Sequence, residues 1–241
     1  MILGDIYQKL DEVSPFELQA SWDNSGLIVG SFDQEISSVV VSIDVDEALI
    51  ESVDEGTLII THHPLIFSGL KSLDYATYPT KLLAMMMAKG IANIAMHTNF
   101  DQTHLNRYVV EKVLKKKIVA EGDYLLYFDI DVDFETFSQE IAKAFGLTYV
   151  KCVVADEKQI KRVALCTGSG ASMIKDVEAD LFLTGDIKYH DAMEAKALGL
   201  NMIDIGHFES ERFFGEILAP YLKNLGLTVI ISSSKNPFTY L

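Results

Sequence analysis

Short apolar and β-branched runs recur along the chain and alternate with stretches of helical periodicity: SVVVSI at 38–43, TLIIT at 57–61, IANIAM at 91–96, VALCT at 163–167, ADLFLT at 179–184 and NMIDI at 201–205. Strand-length runs separated by amphipathic segments predict an α/β layered fold. The covering helices are legible too. Ile2, Ile6, Leu10 and Val13 recur every three or four residues ahead of Pro15, and Phe134, Phe137, Ile141 and Phe145 lead into Gly146. Each spacing lays one apolar face on a sheet.

With 241 residues, 49% of them hydrophobic and only five prolines, the chain can bury a large core and favours two compact halves. The best candidate boundary is 115–135, where KKK precedes an acidic segment. Within it YLLYFDIDVDF alternates apolar and acidic residues, which predicts a strand with one wet face and no disordered hinge. Twenty Lys and Arg against 35 Asp and Glu give a net charge of −15, which argues against a broad nucleic-acid surface. The N-terminal MILGDIYQKL lacks the apolar core of a signal peptide, and no stretch reaches the ~20 apolar residues of a membrane span, so a cytoplasmic protein is expected. Cys152 and Cys166 read as buried, reduced thiols.

Several strand-like runs end in side chains that bind metals or protons. TLIIT leads into His62-His63-Pro64, IANIAM into His97 and Asp101, ADLFLT into Gly185-Asp186 and then His190, and NMIDI into Gly206-His207 with Glu209 and Glu211. In open α/β sheets ligands collect at the carboxyl ends of strands. Adjacent side chains on an extended segment point to opposite sides, so His62 and His63 suit two neighbouring ions better than one; an incidental surface pair is the alternative. His97 and Asp101 are four apart, as are His207 and Glu211, a spacing that puts both members on one helix face. TNFD reads more as a turn, which places Asp101 on a loop or as the N-cap of a helix over 103–114. Glu209 and Glu211 could equally complement a helix dipole. His207 opens FESERFFGEILAPYL, read as one helix with a stripe of Phe213, Phe214, Ile217, Leu218 and Tyr221.

Mixed imidazole and carboxylate donors without thiolate suit borderline divalent ions such as Zn, Fe, Mn, Co or Ni. Two such ions activate water, which is the core of a hydrolase. Thr167-Gly168-Ser169-Gly170 reads as a tight turn in preference to a phosphate loop, because it lacks the P-loop lysine. Met85, Met86 and Met87 read as core, and His104 as a surface residue.

The segments WDNSGLIVG at 22–30, THHPLIF at 61–67, AMHTNFD at 95–101, TGDIKYHDAMEAKALG at 184–199 and IGHFESE at 205–211, with the terminal NPFTYL, resemble the Nif-three-like dinuclear metal-centre family. Bacterial members of that family are often labelled GTP cyclohydrolase I type 2 homologues. The resemblance implies two divalent metal ions per subunit, held by His62, His63, Asp101, His207 and Glu211, with Glu211 bridging and His97 behind the ligands. It implies two intertwined, similar three-layer α/β/α halves with mixed sheets, here taken as 1–125 and 126–241. The 115–165 region is too short for the extra middle domain of longer members. It further implies a toroidal homohexamer, a trimer of dimers. Trp22 would stand at a site wall or an interface, whereas a lone Trp is ordinarily a packing anchor. The expected function is metal-dependent hydrolysis of a small molecule, with His97 or His190 moving a proton; His190 could instead be a buried histidine that caps the following helix. The alternative function is a metal carrier or insertion factor that uses the same ligands without catalysis.

Overall fold

The computed structural model describes residues 1–156, 158–223 and 226–239. The chain forms two compact units, Met1–Thr103 with Phe213–Lys235, and His104–Arg212 with the C-terminal residues from Asn236. The polypeptide therefore changes unit at 103/104 rather than after residue 125, and it does so inside a helical run over 98–113. The acidic segment drawn as a boundary is internal to the second unit. Ile118–Glu121 pairs antiparallel with Leu126–Val132, so the alternating residues of 124–134 build a hairpin strand.

The first unit holds a five-stranded mixed sheet in the order Gly26–Val29, Ala92–Ala95, Thr57–Thr61, Ser38–Ser42, Val229–Ile231. Gly26–Val29 runs antiparallel to its neighbour and the other four strands are parallel. TLIIT and ANIA, with no charged residue, are buried along their whole length. Thr80–Ala88 lays Leu82, Leu83 and Met86 on Val40, Ile59 and Ile91. Only the middle methionine is fully core; Met85 is partly buried and Met87 is exposed, because consecutive positions of a helix face three directions. The N-terminal helix Leu3–Val13 buries Leu3, Ile6 and Leu10. Its stripe begins one residue later than the periodicity suggested, since Ile2 precedes the helix and bridges to Glu35.

The second unit holds a six-stranded mixed sheet in the order Ile118–Glu121, Leu126–Val132, Ile160–Leu165, Leu181–Thr184, Asn201–Asp204, Lys151–Val153. The three strands Ile160–Leu165, Leu181–Thr184 and Asn201–Asp204 are parallel. Phe134–Phe145 is a helix with both ends specified locally. The Asp133 side chain accepts from the Thr136 N–H at 2.9 Å, and Gly146 closes the last turn with φ of 71°. That helix buries Phe137, Ile141 and Phe145, and Phe137 meets Phe128 of the sheet at 6.4 Å between ring centroids. Cys166 is buried, but Cys152 lies exposed on the edge strand Lys151–Val153, contrary to the expectation of two buried thiols.

The segment read as one helix from 207 is two, His207–Glu211 and Phe214–Lys223. The interruption falls where the chain leaves the second unit, so Phe214, Leu218 and Leu222 are core of the first unit while Tyr221 is exposed. Among the described residues no helix is long and apolar enough to cross a membrane.

Phe137 is fully buried and fills the space between helix and sheet. Phe137→Ala is expected to destabilise the second unit by about 3–5 kcal/mol, read as a lower urea midpoint; a loss under about 1 kcal/mol would show that the site collapses around the cavity.

Candidate metal centre

In the first unit the donors come from the ends of two adjacent parallel strands. Thr57–Thr61 stops at Thr61 and the chain bends, while the His62 and His63 N–H groups still donate to Ser42 and Ile43 carbonyls at 3.2 and 3.0 Å. The bend removes the strict alternation of a strand. The two imidazoles, expected on opposite sides, instead lie 5.1 Å apart between centroids. His97 follows Ala92–Ala95, and its ring lies 5.2 Å from that of His62 and 5.5 Å from that of His63. One nitrogen from each of the three lies within 4.8 Å of the others, a group that could hold a metal ion.

Each ring is oriented by an oxygen behind it. His62 Nδ1 donates to the Met96 carbonyl at 2.9 Å, His63 Nδ1 to Asp44 Oδ1 at 2.8 Å, and His97 Nδ1 to Asp23 Oδ1 at 2.7 Å. A carbonyl or carboxylate can only accept, so Nδ1 carries a proton, and in the neutral ring that leaves the lone pair on Nε2. This backing by oxygen is what metal-binding histidines have. His62 is also packed against Phe214, 5.2 Å between centroids, in a fully buried position.

Asp101 is 8% exposed, with Oδ1 at 3.5 Å from His62 Nε2. It lies neither on a loop nor at an N-cap, because the helical run already begins at Thr98 and Asp101 opens the π-helical turn Asp101–Leu105. Such turns often coincide with functional positions. The helix start is served by Asp23, whose Oδ2 accepts from Thr98 N at 3.1 Å and from Thr98 Oγ1 at 2.5 Å. Burial raises the Asp23 carboxyl pKa, but hydrogen bonds and charge from His97, with hydrogen bonds from Thr98 and Ser25, outweigh it and hold the group well below the usual carboxylate range.

In the second unit His207 and Glu211 share the helix His207–Glu211, with Nε2 and Oε2 3.1 Å apart. His207 Nδ1 donates to Asp186 Oδ2 at 2.7 Å, the same backing by oxygen. Glu211 is 2% exposed, and glycine makes its approach possible. A Cβ on Gly168, at φ of 62°, would overlap Glu211 Oε1, and one on Gly185 would meet His207 N at 2.7 Å. In the turn 167–170 the amides of Thr167, Gly168 and Gly170 are occupied. Thr167 N donates to Asn106 Oδ1, Gly168 N to Ser210 Oγ and Gly170 N to Thr184 Oγ1, which leaves the tight-turn reading standing.

Other calls change. His190 is exposed on the first turn of Tyr189–Leu198, 5.4 Å from the Tyr189 ring, so it is neither buried nor the cap, which is Lys188. Among the described residues it belongs to none of the donor groups. His104 is half-buried, and that burial lowers its imidazole pKa. Trp22 is exposed, not a packing anchor. Sequence reading passed over Asp23 and Asp44, two of the carboxylates behind the histidines. Asp186 stood out at its strand end after Gly185, and the structure places it behind His207.

Two predictions follow from these contacts. Gly168→Ala is expected to cost about 1–2 kcal/mol from the left-handed backbone alone and more from the displaced Glu211, measured by chemical denaturation. For Asp23, a depressed native pKa means that its stabilisation is complete above the ordinary carboxylate value of about 4 and is lost as pH falls through the lower native value. The stability gap between wild type and Asp23→Asn, about 1–3 kcal/mol at neutral pH, is therefore expected to narrow below about pH 4. A constant gap down to pH 2 would contradict the assignment.

The family described as Duf34/NIF3 (NGG1p interacting factor 3) matches residues 1–237. A Campylobacter jejuni protein named GTP cyclohydrolase 1 type 2 homolog is 49% identical over 240 residues, covering 100% of both chains. A Helicobacter pylori protein named GTP cyclohydrolase 1 type 2 is 40% identical over 98% of both. Among solved structures, a hypothetical protein of Staphylococcus aureus superposes with a TM-score of 0.84 at 27% identity, over 100% of this chain and 99% of the other. Reduced HcgD of Methanocaldococcus jannaschii gives 0.81 at 27% identity, over 97% and 98%. With the motifs, the two mixed sheets and the full-length match in agreement, the chain belongs to the Duf34/NIF3 family.

Proposed function

We propose that this protein is a dinuclear metal-dependent hydrolase acting on a small molecule. In this reading His62, His63, Asp101, His207 and Glu211 would hold two divalent ions per chain, with Glu211 the carboxylate that would serve both. The observation that carries the reading is the oxygen acceptor behind Nδ1 of His62, His63, His97 and His207, which commits every one of these rings to offering Nε2. The donors are nitrogen and oxygen only, a set that fits Zn, Fe, Mn, Co or Ni. When bound, two such ions supply Lewis acidity and lower the pKa of a coordinated water.

The chain's own residues then have distinct tasks. Asp23 holds His97 in one tautomer, so that Nε2 can take a proton while the carboxylate stabilises the imidazolium. His190, exposed on its helix turn, is the second candidate for proton transfer. The names of the relatives make hydrolytic ring opening of a nucleotide the first reaction to assay. Assembly as a toroidal homohexamer and a cytoplasmic location complete the proposal. The carrier reading draws on one observation, the partial exposure of the His63 and His207 side chains at 25% and 32%, which favours exchange. A carrier should surrender its metal to a chelator within minutes.

Elemental analysis of three variants tests the ligand set. Glu211→Gln keeps the size but deletes the charge that offsets two dications, so metal content is expected to fall toward zero, whereas His62→Ala or His63→Ala should each leave about one ion bound. A Glu211→Gln protein that retained both ions would place the bridge elsewhere. For the reaction, protein loaded with Zn, Mn, Fe or Co is expected to turn over at least one member of a panel of nucleotides, phosphoesters and cyclic amides; inertness across the panel would remove the hydrolase.

A further inference from the structure

Trp22, the only tryptophan of the chain, is 60% exposed, and Phe67 is 51% exposed. A single exposed apolar side chain needs no explanation. These two, however, converge on one imidazole. Their ring centroids are 5.8 Å apart, and they stand 6.0 and 6.1 Å from the His97 ring with their planes turned 74° and 70° from it. The angle between their own planes is 37°, so they are tilted and not stacked on each other, and both residues stay more than half exposed.

Both rings are held by the contacts that hold the site. Trp22 precedes Asp23, which is bonded to His97 and Thr98. Asn24 Nδ2 donates to the carbonyl of Ile66 at 2.6 Å, which ties the segment bearing Trp22 to the residue before Phe67. A wall ordered in advance loses little freedom when a ligand arrives.

We infer that Trp22 and Phe67 form a stacking wall that positions a planar, uncharged heteroaromatic ring beside His97, and so select the substrate class of the proposed hydrolase. Indole and phenyl faces stack on flat π systems of any base, whereas a saturated ring gains only contact area. An organic cation would also be attracted to these faces, but the dications proposed at His62 and His63 would repel it. The inference rests on the hydrolase reading for its placement beside the metal ligands; ring binding itself does not require turnover.

Because Trp22 is the lone tryptophan, emission from the full-length protein reports this wall alone. Titration with adenosine or guanosine is expected to quench it saturably, and ribose 5-phosphate is expected not to. By calorimetry, Trp22→Ala and Phe67→Ala should each weaken nucleoside affinity about tenfold or more, while Trp22→Phe and Phe67→Tyr stay within about threefold of wild type. Wild-type affinity in both alanine variants, or no saturable quenching, would overturn the proposal. So would an emission blue shift with protein concentration alone, which would make a second copy of the chain the occupant. Metal content, measured on the same samples, separates the two readings: nucleoside binding by wild type without bound metal keeps the wall and removes the metal centre.

Discussion

The Asp23 carboxylate joins two pieces of backbone more than seventy residues apart, its own turn at 23–25 and the strand end at 97–98. One oxygen accepts from His97 Nδ1, the other from the first turn of the helical run at Thr98, and Ser25 Oγ donates to it at 2.8 Å. Its side chain is inaccessible to solvent, so these bonds act in a low local dielectric. An unpaired carboxylate there would be costly, and its partners are therefore as constrained as the group itself. The orientation of His97, the start of the helix that carries Asp101, and the position of Trp22 all follow from that one contact.

The same logic recurs at every candidate metal donor of imidazole type. An oxygen behind Nδ1 fixes the tautomer of His62, His63 and His207 as Asp23 fixes that of His97. Three of these oxygens are aspartates far from their histidines in sequence, at separations of 19, 74 and 21 residues. The second unit adds a steric requirement. Buried Glu211 reaches His207 only because position 168 has no side chain, which gives a chemical reason for the TGSG turn that a phosphate-loop reading does not supply.

Local rules served well where the chain's neighbours in sequence are its neighbours in space. All six apolar runs are strands, and the helix Phe134–Phe145 is bounded by Asp133 and Gly146 as its own residues require. Periodicity misled where tertiary contacts intervene. His62 and His63 leave strand geometry at a bend, Asp101 sits inside a helical run that starts earlier, and the apparent helix from 207 is interrupted where the chain changes unit.

Residue pattern alone determined the layered α/β class, the strand-end location of the histidines and the nitrogen and oxygen character of the donor set, since these depend on local periodicity and side-chain chemistry. Tertiary structure decided what depends on distant partners. It set the unit boundary at 103/104 in place of 125, paired each imidazole with its oxygen, grouped His97 with His62 and His63, and moved His190 to an exposed helix turn. Hydrogen bonds across dozens of residues form only after the strands have paired, so no spacing rule along the chain encodes them.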